Sequence, residues 1–266
     1  MIRFLAALAL TTSAAFAQTA PSLDAPTVST QGTGPVALGF TLRGGVATSP
    51  EFFGSDDNDV SPDIGFSLNY LRLGRFEIGN PDPSFERQGF GFTGSFRFID
   101  ERNEGDDVIL DGLGDVDTSV ELGLGVEYVL GNFEAFGAVR YGIIGHNGFV
   151  GEIGANLIAR PTDRWTLRVG PRVNFGDDEF AEEYFGVTAG QAASSVAGLP
   201  EFDADGGLIS AGIELGATYQ INDRWGIEGA VLYDELFDDA EDSPITSDDS
   251  TFSARIGITR RFTLGF

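Results

Sequence analysis

Residues 252–266 alternate between apolar and polar side chains, and this pattern limits the fold more than any other feature of the chain. The apolar face consists of Phe252, Ala254, Ile256, Ile258, Phe262, Leu264 and the terminal Phe266. The other face consists of Ser253, Arg255, Gly257, Thr259, Arg261, Thr263 and Gly265. A strand of this period separates two environments, and a final aromatic residue is typical of bacterial outer-membrane barrels. Soluble antiparallel strands also alternate, so the rest of the chain must decide between the two.

The beginning of the chain predicts export. Residues 4–10 are apolar and follow a basic start, and residues 15–17 read Ala-Phe-Ala, a small-x-small cleavage site. Residues 1–17 are therefore predicted to be a signal peptide. The apolar run is shorter than the roughly 20 residues of a spanning helix. Residues 18–34, rich in Thr, Ser, Pro and Gly, are predicted to be a flexible periplasmic leader, and residues 35–266 an outer-membrane β-barrel.

Charge and composition exclude several function classes. The formal net charge of −25 argues against a nucleic-acid partner. Without cysteine, the chain has no disulfide framework, thiol catalyst or sulfur-ligated metal. Of the 41 acidic residues, 29 lie in four segments, 51–63, 100–117, 177–205 and 234–249. These segments are predicted to be loops, because the residues between them alternate with a period of 2.

The alternating segments predict an all-β, transmembrane, antiparallel up-and-down barrel. They run for roughly 9 to 13 residues, which matches a tilted bilayer crossing, and their inward faces mix arginine with glutamate. Eleven strands are predicted, at 36–47, 62–71, 74–80, 89–99, 120–130, 133–143, 149–160, 165–175, 208–221, 225–237 and 252–266. A barrel with both termini in the periplasm needs an even number of strands, and residues 72–119 are ambiguous. We therefore predict about 12 strands, within a range of 10–14.

The lengths of the connections orient the barrel. The turns at 131–132 and 222–224 are short, whereas the segment 177–206 is long and acidic. Short turns of outer-membrane barrels face the periplasm, and long loops face outside. Trp165 and Trp225 each follow a short turn, so we expect them in the periplasmic aromatic girdle.

His146 is the only histidine and lies in the turn-forming sequence Gly-His-Asn-Gly at residues 145–148. Outer-membrane lipid hydrolases combine one histidine with a serine and a carboxylate, because imidazole can relay a proton near neutral pH. The sequence links no nucleophile to His146, and its neighbours tolerate positive φ. We therefore interpret it as a hairpin residue and predict no catalytic residue and no enzyme activity.

The acidic loops contain candidate ligands for hard cations. Asp56, Asp57 and Asp59 lie together, as do later acidic runs, and carboxylate oxygens suit Ca²⁺ or Mg²⁺. None of these groups has the spacing of a defined calcium loop. We expect a solvated anionic surface with at most weak Ca²⁺ or Mg²⁺ binding, and no cofactor.

The 184–200 loop is aromatic and locally uncharged within an acidic segment, so we expect it to fold into the barrel mouth or onto a partner. Its distinctive residues are Tyr184, Phe185, Gly186, Val187, Gln191, Ala192, Ser195, Gly198, Leu199 and Pro200. Asp242, Ser243 and Pro244 precede the last strand. Together these motifs resemble the MipA/OmpV family of Gram-negative outer-membrane proteins.

The resemblance spans residues 36–266 and implies a scaffold in the cell envelope. The member that names the family interacts with a lytic transglycosylase and links it to a murein synthase, and the family pattern carries no catalytic residue. Our leading hypothesis is a non-enzymatic outer-membrane scaffold for murein organisation. The alternative is a narrow pore or uptake route for small solutes, gated by the 184–200 loop.

The resemblance implies the two murein enzymes as partners. The predicted location in the outer membrane implies three further partners: outer-membrane lipid, lipopolysaccharide and the barrel assembly machinery. We expect that machinery to recognise the terminal signal Phe262, Leu264 and Phe266.

Overall fold

The computed structural model describes residues 37–73, 76–79 and 88–265, which contain eleven antiparallel strands in one sheet. The strands are β1 (Ala37–Pro50), β2 (Asn58–Leu73), β3 (Phe76–Gly79), β4 (Gly89–Ile99), β5 (Ser119–Leu130), β6 (Phe133–Ile144), β7 (Phe149–Thr162), β8 (Trp165–Gly176), β9 (Gly207–Gln220), β10 (Trp225–Leu236) and β11 (Ser250–Gly265). Consecutive strands pair from β1 to β3 and from β4 to β11, and β1 pairs with β11. The predicted up-and-down antiparallel topology is confirmed.

Strands β3 and β4 form the two ends of the described sheet. Because every pairing is antiparallel, they run in the same direction, and an even-numbered antiparallel barrel would need one further strand between them. Residues 80–87 fall outside the described part of the chain, as do the predicted signal peptide, the predicted leader and Phe266. The eleven described strands lie within the predicted range of 10–14.

The two faces of the sheet have opposite chemistry. Outward side chains are apolar and exposed, for example Leu124 at 78% and Ile64 at 69%. Inward side chains include charged groups that are almost fully buried, among them Glu121 at 0% and Arg140 at 1%. An apolar exterior around a polar interior is the arrangement of a barrel that crosses a bilayer with its strands.

Glycine lets the strands approach closely on the inward face. A Cβ at Gly123 would lie 1.9 Å from the carbonyl oxygen of Val139, and one at Gly170 would lie 1.7 Å from that of Ala155. Neither position can hold a side chain without displacing the neighbouring backbone. The abundance of glycine in the sequence therefore has a packing cause at these positions.

The long loops of the described residues contain a 3-10 helix (Val108–Leu110) and three short α-helices: α1 (Asp178–Phe185), α2 (Ala189–Ser194) and α3 (Asp239–Asp242). The side chain of Asp177 caps α1 by accepting a hydrogen bond from the Phe180 amide, and acidic residues in the first turn favour the helix dipole. Residues 177–206, predicted only as a loop, thus begin with a capped helix. No helix in the described residues has the length and apolar character needed to span a membrane.

Candidate functional site

The inward side chains of the described strands form a set of ion pairs, here called the lumen network. Arg43 on β1 donates from Nε to Asp63 Oδ2 and from Nη1 to Glu228 Oε1, both at 2.6 Å. Arg255 on β11 lies 3.8 Å from Glu228 and 3.9 Å from Glu214. All five side chains are buried, so their charges face one another instead of water.

The lumen network continues across the wall through Arg172. Its Nη2 donates to Glu214 Oε1 at 3.1 Å and to Asn156 Oδ1 at 2.8 Å. Asn156 Nδ2 in turn donates to Glu134 Oε1 at 2.6 Å. Contacts therefore run from β2 to β6 without a break. Because a buried charge is stable only when it is paired, these side chains depend on one another.

A second part of the lumen network surrounds Glu121 on β5. Its Oε2 accepts a hydrogen bond from Arg140 Nε at 2.8 Å, and its Oε1 lies 3.7 Å from Arg97 Nη1. Arg140 also reaches Glu152 at 3.1 Å and Ser95 at 3.2 Å. Two arginines thus balance two carboxylates in a region closed to solvent.

His146 joins this part of the lumen network to the loops above it. Its Nε2 lies 3.2 Å from Glu121 Oε1, and its Nδ1 accepts from the Gly148 amide at 3.1 Å, so Nε2 is the donor to the carboxylate. The ring is 2% exposed and packs edge-on against Phe180 and Tyr184. The imidazole is therefore a buried bridge between the lumen and the outer mouth.

The hairpin interpretation of His146 is right for the backbone and incomplete for the side chain. Gly145 has φ of +77°, as a tight turn requires. Sequence reasoning did not foresee that the imidazole points inward to a carboxylate. The described hydrogen bonds of the ring go to Glu121 and Gly148, and neither is a nucleophile; Ser119 Oγ accepts from the His146 backbone amide and not from the ring. This geometry offers no acyl-transfer triad.

The outer loops fold together over the mouth and form what we call the outer cap (residues 51–57, 100–118, 145–148, 177–206 and 237–249). Phe53 from the first loop contacts three rings of α1, those of Phe180, Tyr184 and Phe185, at 5.9, 5.1 and 5.7 Å between centroids. The buried cluster around them contains Ile99, Val116, Val150, Phe180, Ala181, Tyr184, Phe185, Ala204, Ile209, Leu236 and Ala240. The outer cap thus has its own apolar core.

A second apolar cluster lies beside the first within the outer cap. Val187 is fully buried, and it exchanges backbone hydrogen bonds of 2.8 and 2.9 Å with Phe202. The cluster consists of Phe52, Leu110, Leu113, Val187 and Ile245. Four loops contribute to it, so none of them can move away without exposing apolar surface.

Three hydrogen bonds tie α1 to the surrounding segments. Tyr184 Oη donates to Ser119 Oγ at 2.8 Å, and Arg102 Nη1 donates to the Tyr184 carbonyl at 3.0 Å. Ser243 Oγ donates to the Phe185 carbonyl at 2.6 Å. Burial raises the pKa of the Tyr184 phenol and lowers the pKa of the Arg102 guanidinium. Both side chains are therefore buried within the outer cap.

The remaining residues of the 184–200 loop shape and fasten it. Thr188 and Gln191 form a capping box at the start of α2, and Gln191 Nε2 donates to the Leu113 carbonyl at 2.8 Å. Ser195 Oγ accepts from the Leu199 amide at 3.2 Å, and Gly198 takes a φ of +72°. The other motif positions divide between packing and surface: Gly186 ends α1, Ala192 and Leu199 pack on the second cluster, Pro244 is half-buried, and Pro200 and Asp242 are exposed.

The outer cap encloses most of the apolar side chains that the sequence placed there. Tyr184, Phe185 and Val187 are at most 3% exposed. Val196, by contrast, is 73% exposed. Val196 lies just after α2. It contacts the neighbouring loop through its backbone, because its amide donates to the Asp111 carbonyl.

A cavity of about 50 Å³ lies between the outer cap and the lumen network. Its walls include Arg97, Asn174, Ser210 and Asp234 below, with Tyr184 among the aromatic residues above. Most of the lining is apolar, for example Ile99, Phe180 and Leu236.

Exposed acids gather outside the apolar clusters. Carboxylate oxygens of Asp56, Asp57 and Asp107 lie within 4.8 Å of one another. Sequence reasoning grouped Asp56 and Asp57 with Asp59, and the structure instead brings in Asp107 from the next loop. Exposed acidic groups are common without an ion, so cation binding here stays a prediction.

The end of the sheet with the short turns, which we predicted to face the periplasm, carries aromatic pairs. Trp165 packs against Tyr219 with centroids 4.9 Å apart, and Phe40 stacks on Phe262 at 5.1 Å. Leu264 is 42% exposed on the outward face. Phe266 lies outside the described residues, so the assembly role of the terminal signal stays a prediction.

Several residues of the site were missed from sequence. Phe180 and Ala181 lie within an acidic run, which hid them, although Phe180 with Tyr184 and Ala181 with Phe185 show the i, i+4 spacing of a buried helix face. Arg102 and Ser119 gave no signal, because their partners lie 82 and 65 positions away in the chain.

Comparison with known proteins places the chain in a family. No curated protein matches it significantly. Among solved structures it is similar to the outer membrane protein OprG from Pseudomonas aeruginosa, at 15% identity over 86% of this chain and 98% of that chain with a TM-score of 0.30. It is also similar to the translocator domain of autotransporter NalP from Neisseria meningitidis, at 14% identity over 88% and 91% with a TM-score of 0.45. The family model described as MltA-interacting protein MipA matches residues 42–262. The chain therefore belongs to the MltA-interacting protein MipA family and is an outer-membrane β-barrel protein.

Proposed function

We propose that this barrel is a non-enzymatic scaffold that contributes to murein organisation at the outer membrane. The observation that carries the proposal is the set of buried, paired charges in the described part of the interior. Glu121, Arg140 and Glu152 are at most 2% exposed, whereas side chains that line a water-filled channel are wetted. A barrel whose interior is occupied by paired charges acts through its surfaces.

The periplasmic surface is the place for such an action. The turns between β5 and β6, β7 and β8, and β9 and β10 are short in the structure, and residues 18–34 are the predicted leader. The family is described by an interaction with MltA, so we propose a periplasmic murein enzyme as the partner. The leader and the turn rims would supply its docking surface.

Capture from cross-linked envelopes tests the scaffold proposal. An affinity tag is inserted between residues 17 and 18, because a tag after Phe266 would disturb the predicted assembly signal. We expect a lytic transglycosylase to be enriched over a control with an unrelated outer-membrane barrel of equal abundance. A variant without residues 18–34 should reduce this enrichment while the barrel still assembles. Equal recovery with the control barrel would overturn the proposal.

The second candidate is a narrow solute route gated by the 184–200 loop. It is supported by the position of this loop over the mouth and by the cavity beneath it. Conductance in planar bilayers separates the two functions. A gate predicts that deletion of residues 184–200 raises conductance of the folded barrel. The scaffold proposal predicts no rise, because the lumen network below the outer cap is unchanged by the deletion.

A further inference from the structure

All 16 basic residues of the chain are arginines, and they are distributed unevenly between the two ends of the barrel. The four acidic segments contain one arginine, Arg102, and it is buried in the outer cap. The periplasmic turns carry exposed arginines, Arg164 and Arg224. The barrel therefore presents an anionic outer end and a more basic periplasmic end.

Arg260 is unusual among the arginines of the described strands because it faces outward. On β11 the exposed apolar residues Ile256 and Ile258 share its face, and Arg255 and Gly257 point into the lumen. A charged side chain on the lipid face is strongly unfavourable at the membrane centre and is tolerated near the interface. The position of Arg260 is thus tolerable only near a headgroup region.

Aromatic neighbours place Arg260 at that level. Its pairing partner Trp225 directly follows the periplasmic turn of residues 221–224, and tryptophan favours the membrane interface. The Arg260 guanidinium lies 4.9 Å from the Trp225 ring and 4.8 Å from the Phe262 ring. The two rings hold the cation at the height where phospholipid phosphates begin.

The guanidinium has no anionic partner among the described residues. Its recorded contacts are the two rings, which leave its five N–H donors open to a ligand. Guanidinium recognises phosphate through paired N–H donors, and stacking on aromatic rings orients it for that contact. The missing partner is therefore an anion delivered at the membrane surface.

We infer that Arg260, Trp225 and Phe262 form a binding site for the phosphate of an anionic glycerophospholipid in the inner leaflet of the outer membrane. Arg260 supplies the charge and the hydrogen bonds, and the two rings contact the glycerol and upper acyl region. The site fixes the depth and rotation of the barrel on its β10–β11 side. The chemistry favours a headgroup with net negative charge, of the phosphatidylglycerol class, over a zwitterionic one.

Fluorescence quenching by brominated lipids tests this site directly. The chain has two tryptophans, so a Trp165→Phe background leaves Trp225 as the single reporter beside Arg260. The protein is reconstituted in brominated phosphatidylglycerol or brominated phosphatidylcholine, each mixed with its unbrominated form. One arginine near an anionic membrane is worth roughly a fivefold preference, so we expect about fivefold stronger association of phosphatidylglycerol.

Matched variants separate a specific site from general charge attraction. Arg260→Gln should reduce the preference to about one, whereas Arg164→Gln, which removes an exposed turn arginine outside the aromatic pair, should leave it largely intact. Arg260→Lys should retain part of it, since the charge remains and the planar stacking is lost. Equal losses in Arg260→Gln and Arg164→Gln would overturn the site in favour of general electrostatics.

If Arg260→Gln fails to assemble, the salt dependence of lipid binding by the parent protein tests the same site. Its preference for phosphatidylglycerol should fall when the salt concentration is raised from about 0.05 to 0.5 M, because exposed charges are screened. Equal quenching by the two brominated lipids at low salt in the Trp165→Phe parent would overturn the inference without any further variant.

Discussion

In the lumen, the carboxylates of Asp63, Glu121 and Glu214 each lie within 3.1 Å of an arginine nitrogen. In the outer cap, the acids of residues 177–205 have no arginine in their own segment, and Arg102 reaches α1 from the neighbouring loop. Asp177 and Asp178 accept backbone hydrogen bonds, and Glu182 is exposed. The lumen thus neutralises its acids with arginine, whereas the outer cap relies on backbone donors and water and builds an apolar core beneath its acids.

The difference follows from access to water. A carboxylate in a closed space pays a large desolvation cost unless a cation and hydrogen bonds replace its hydration. An exposed carboxylate on a loop keeps its hydration, and an ion pair there contributes only about 0–1 kcal/mol. Charge therefore stabilises the lumen only as an interlocked set, and the outer cap depends on contacts such as those of Phe180 and Phe185.

The largest expected effect comes from removing one partner of the lumen network. Glu121→Gln keeps the shape and leaves Arg97 and Arg140 without their shared carboxylate. Breaking a buried pair costs roughly 3–5 kcal/mol, so the free energy of unfolding in urea with detergent should fall by about that amount. The control Glu179→Gln, on the exposed side of α1, should change it little. Equal effects of the two variants would contradict the comparison between the two regions.

The next effect should be confined to the outer cap. Phe185→Ala removes a side chain that is 1% exposed, and truncating a buried phenylalanine costs roughly 3–5 kcal/mol. Because strand pairing and the lumen network are unchanged, the barrel should keep its heat-modifiable mobility on a gel. The 177–206 segment should become sensitive to proteinase K. Val196→Ala, at an exposed position of the same loop, is the matched control.

Loss of barrel stability in Phe185→Ala, with no increase in cleavage of the loop, would show that the outer cap and the barrel unfold as one unit. The outer cap and the lumen network would then belong to one cooperative folding unit despite their different chemistry.

The strands that form the lumen could be predicted from the sequence, and the contacts between their side chains could not. Alternation with a period of 2 predicted the described strands and the inward positions of residues such as Arg43 and Glu121. It could not tell that Arg43 reaches Glu228, because that contact depends on β1 lying next to β11 and β11 next to β10. A local pattern predicts a strand and the face of the sheet on which each side chain lies. Ion pairs depend in addition on which strands become neighbours in the fold.

The outer cap was predictable in position and less so in structure. The uncharged aromatic segment at Tyr184 and Phe185 indicated a loop folded over the mouth, because exposing such side chains is unfavourable. The acidic run around Phe180 was interpreted as solvated loop, although the same acids stabilise the start of α1. The hydrogen bonds from Ser243 and Arg102 to the carbonyls at the end of α1 join segments that are distant in the sequence, so no local pattern predicted them.

A smaller effect concerns the hydrogen bond at the boundary of the two regions. Tyr184→Phe removes the donor to Ser119 and should cost about 1 kcal/mol. Burial raises the pKa of Tyr184 above its ordinary value of 10.0, so the neutral phenol is favoured in the folded state. Its contribution is complete below pH of about 10 and declines as the pH rises toward the folded pKa.

Absorbance of tyrosinate near 295 nm checks this titration. The absorbance that develops last, at the highest pH, should lose the contribution of one phenol in Tyr184→Phe relative to the parent. Tyr141→Phe, at a residue 37% exposed on β6, is the matched control for the loss of one tyrosine. Equal late absorbance in the parent and in Tyr184→Phe would contradict the burial of this phenol.

The smallest expected effect concerns the acidic cluster around Asp57 in the outer cap. Asp57 lies close to Asp56 and Asp107, and repulsion between exposed like charges amounts to a few tenths of a kcal/mol at low ionic strength. Asp57→Asn should therefore raise the thermal midpoint slightly in low salt and lose that advantage as NaCl screens the parent. Asp223→Asn, in an exposed periplasmic turn, should not. If the acids also bind divalent cations collectively, millimolar CaCl₂ should raise the parent's midpoint more than NaCl of equal ionic strength, and Asp57→Asn should reduce that excess. Equal shifts with the two salts would mean that screening alone acts on the outer cap, and the contrast with the lumen would then rest on hydration without any role for bound ions.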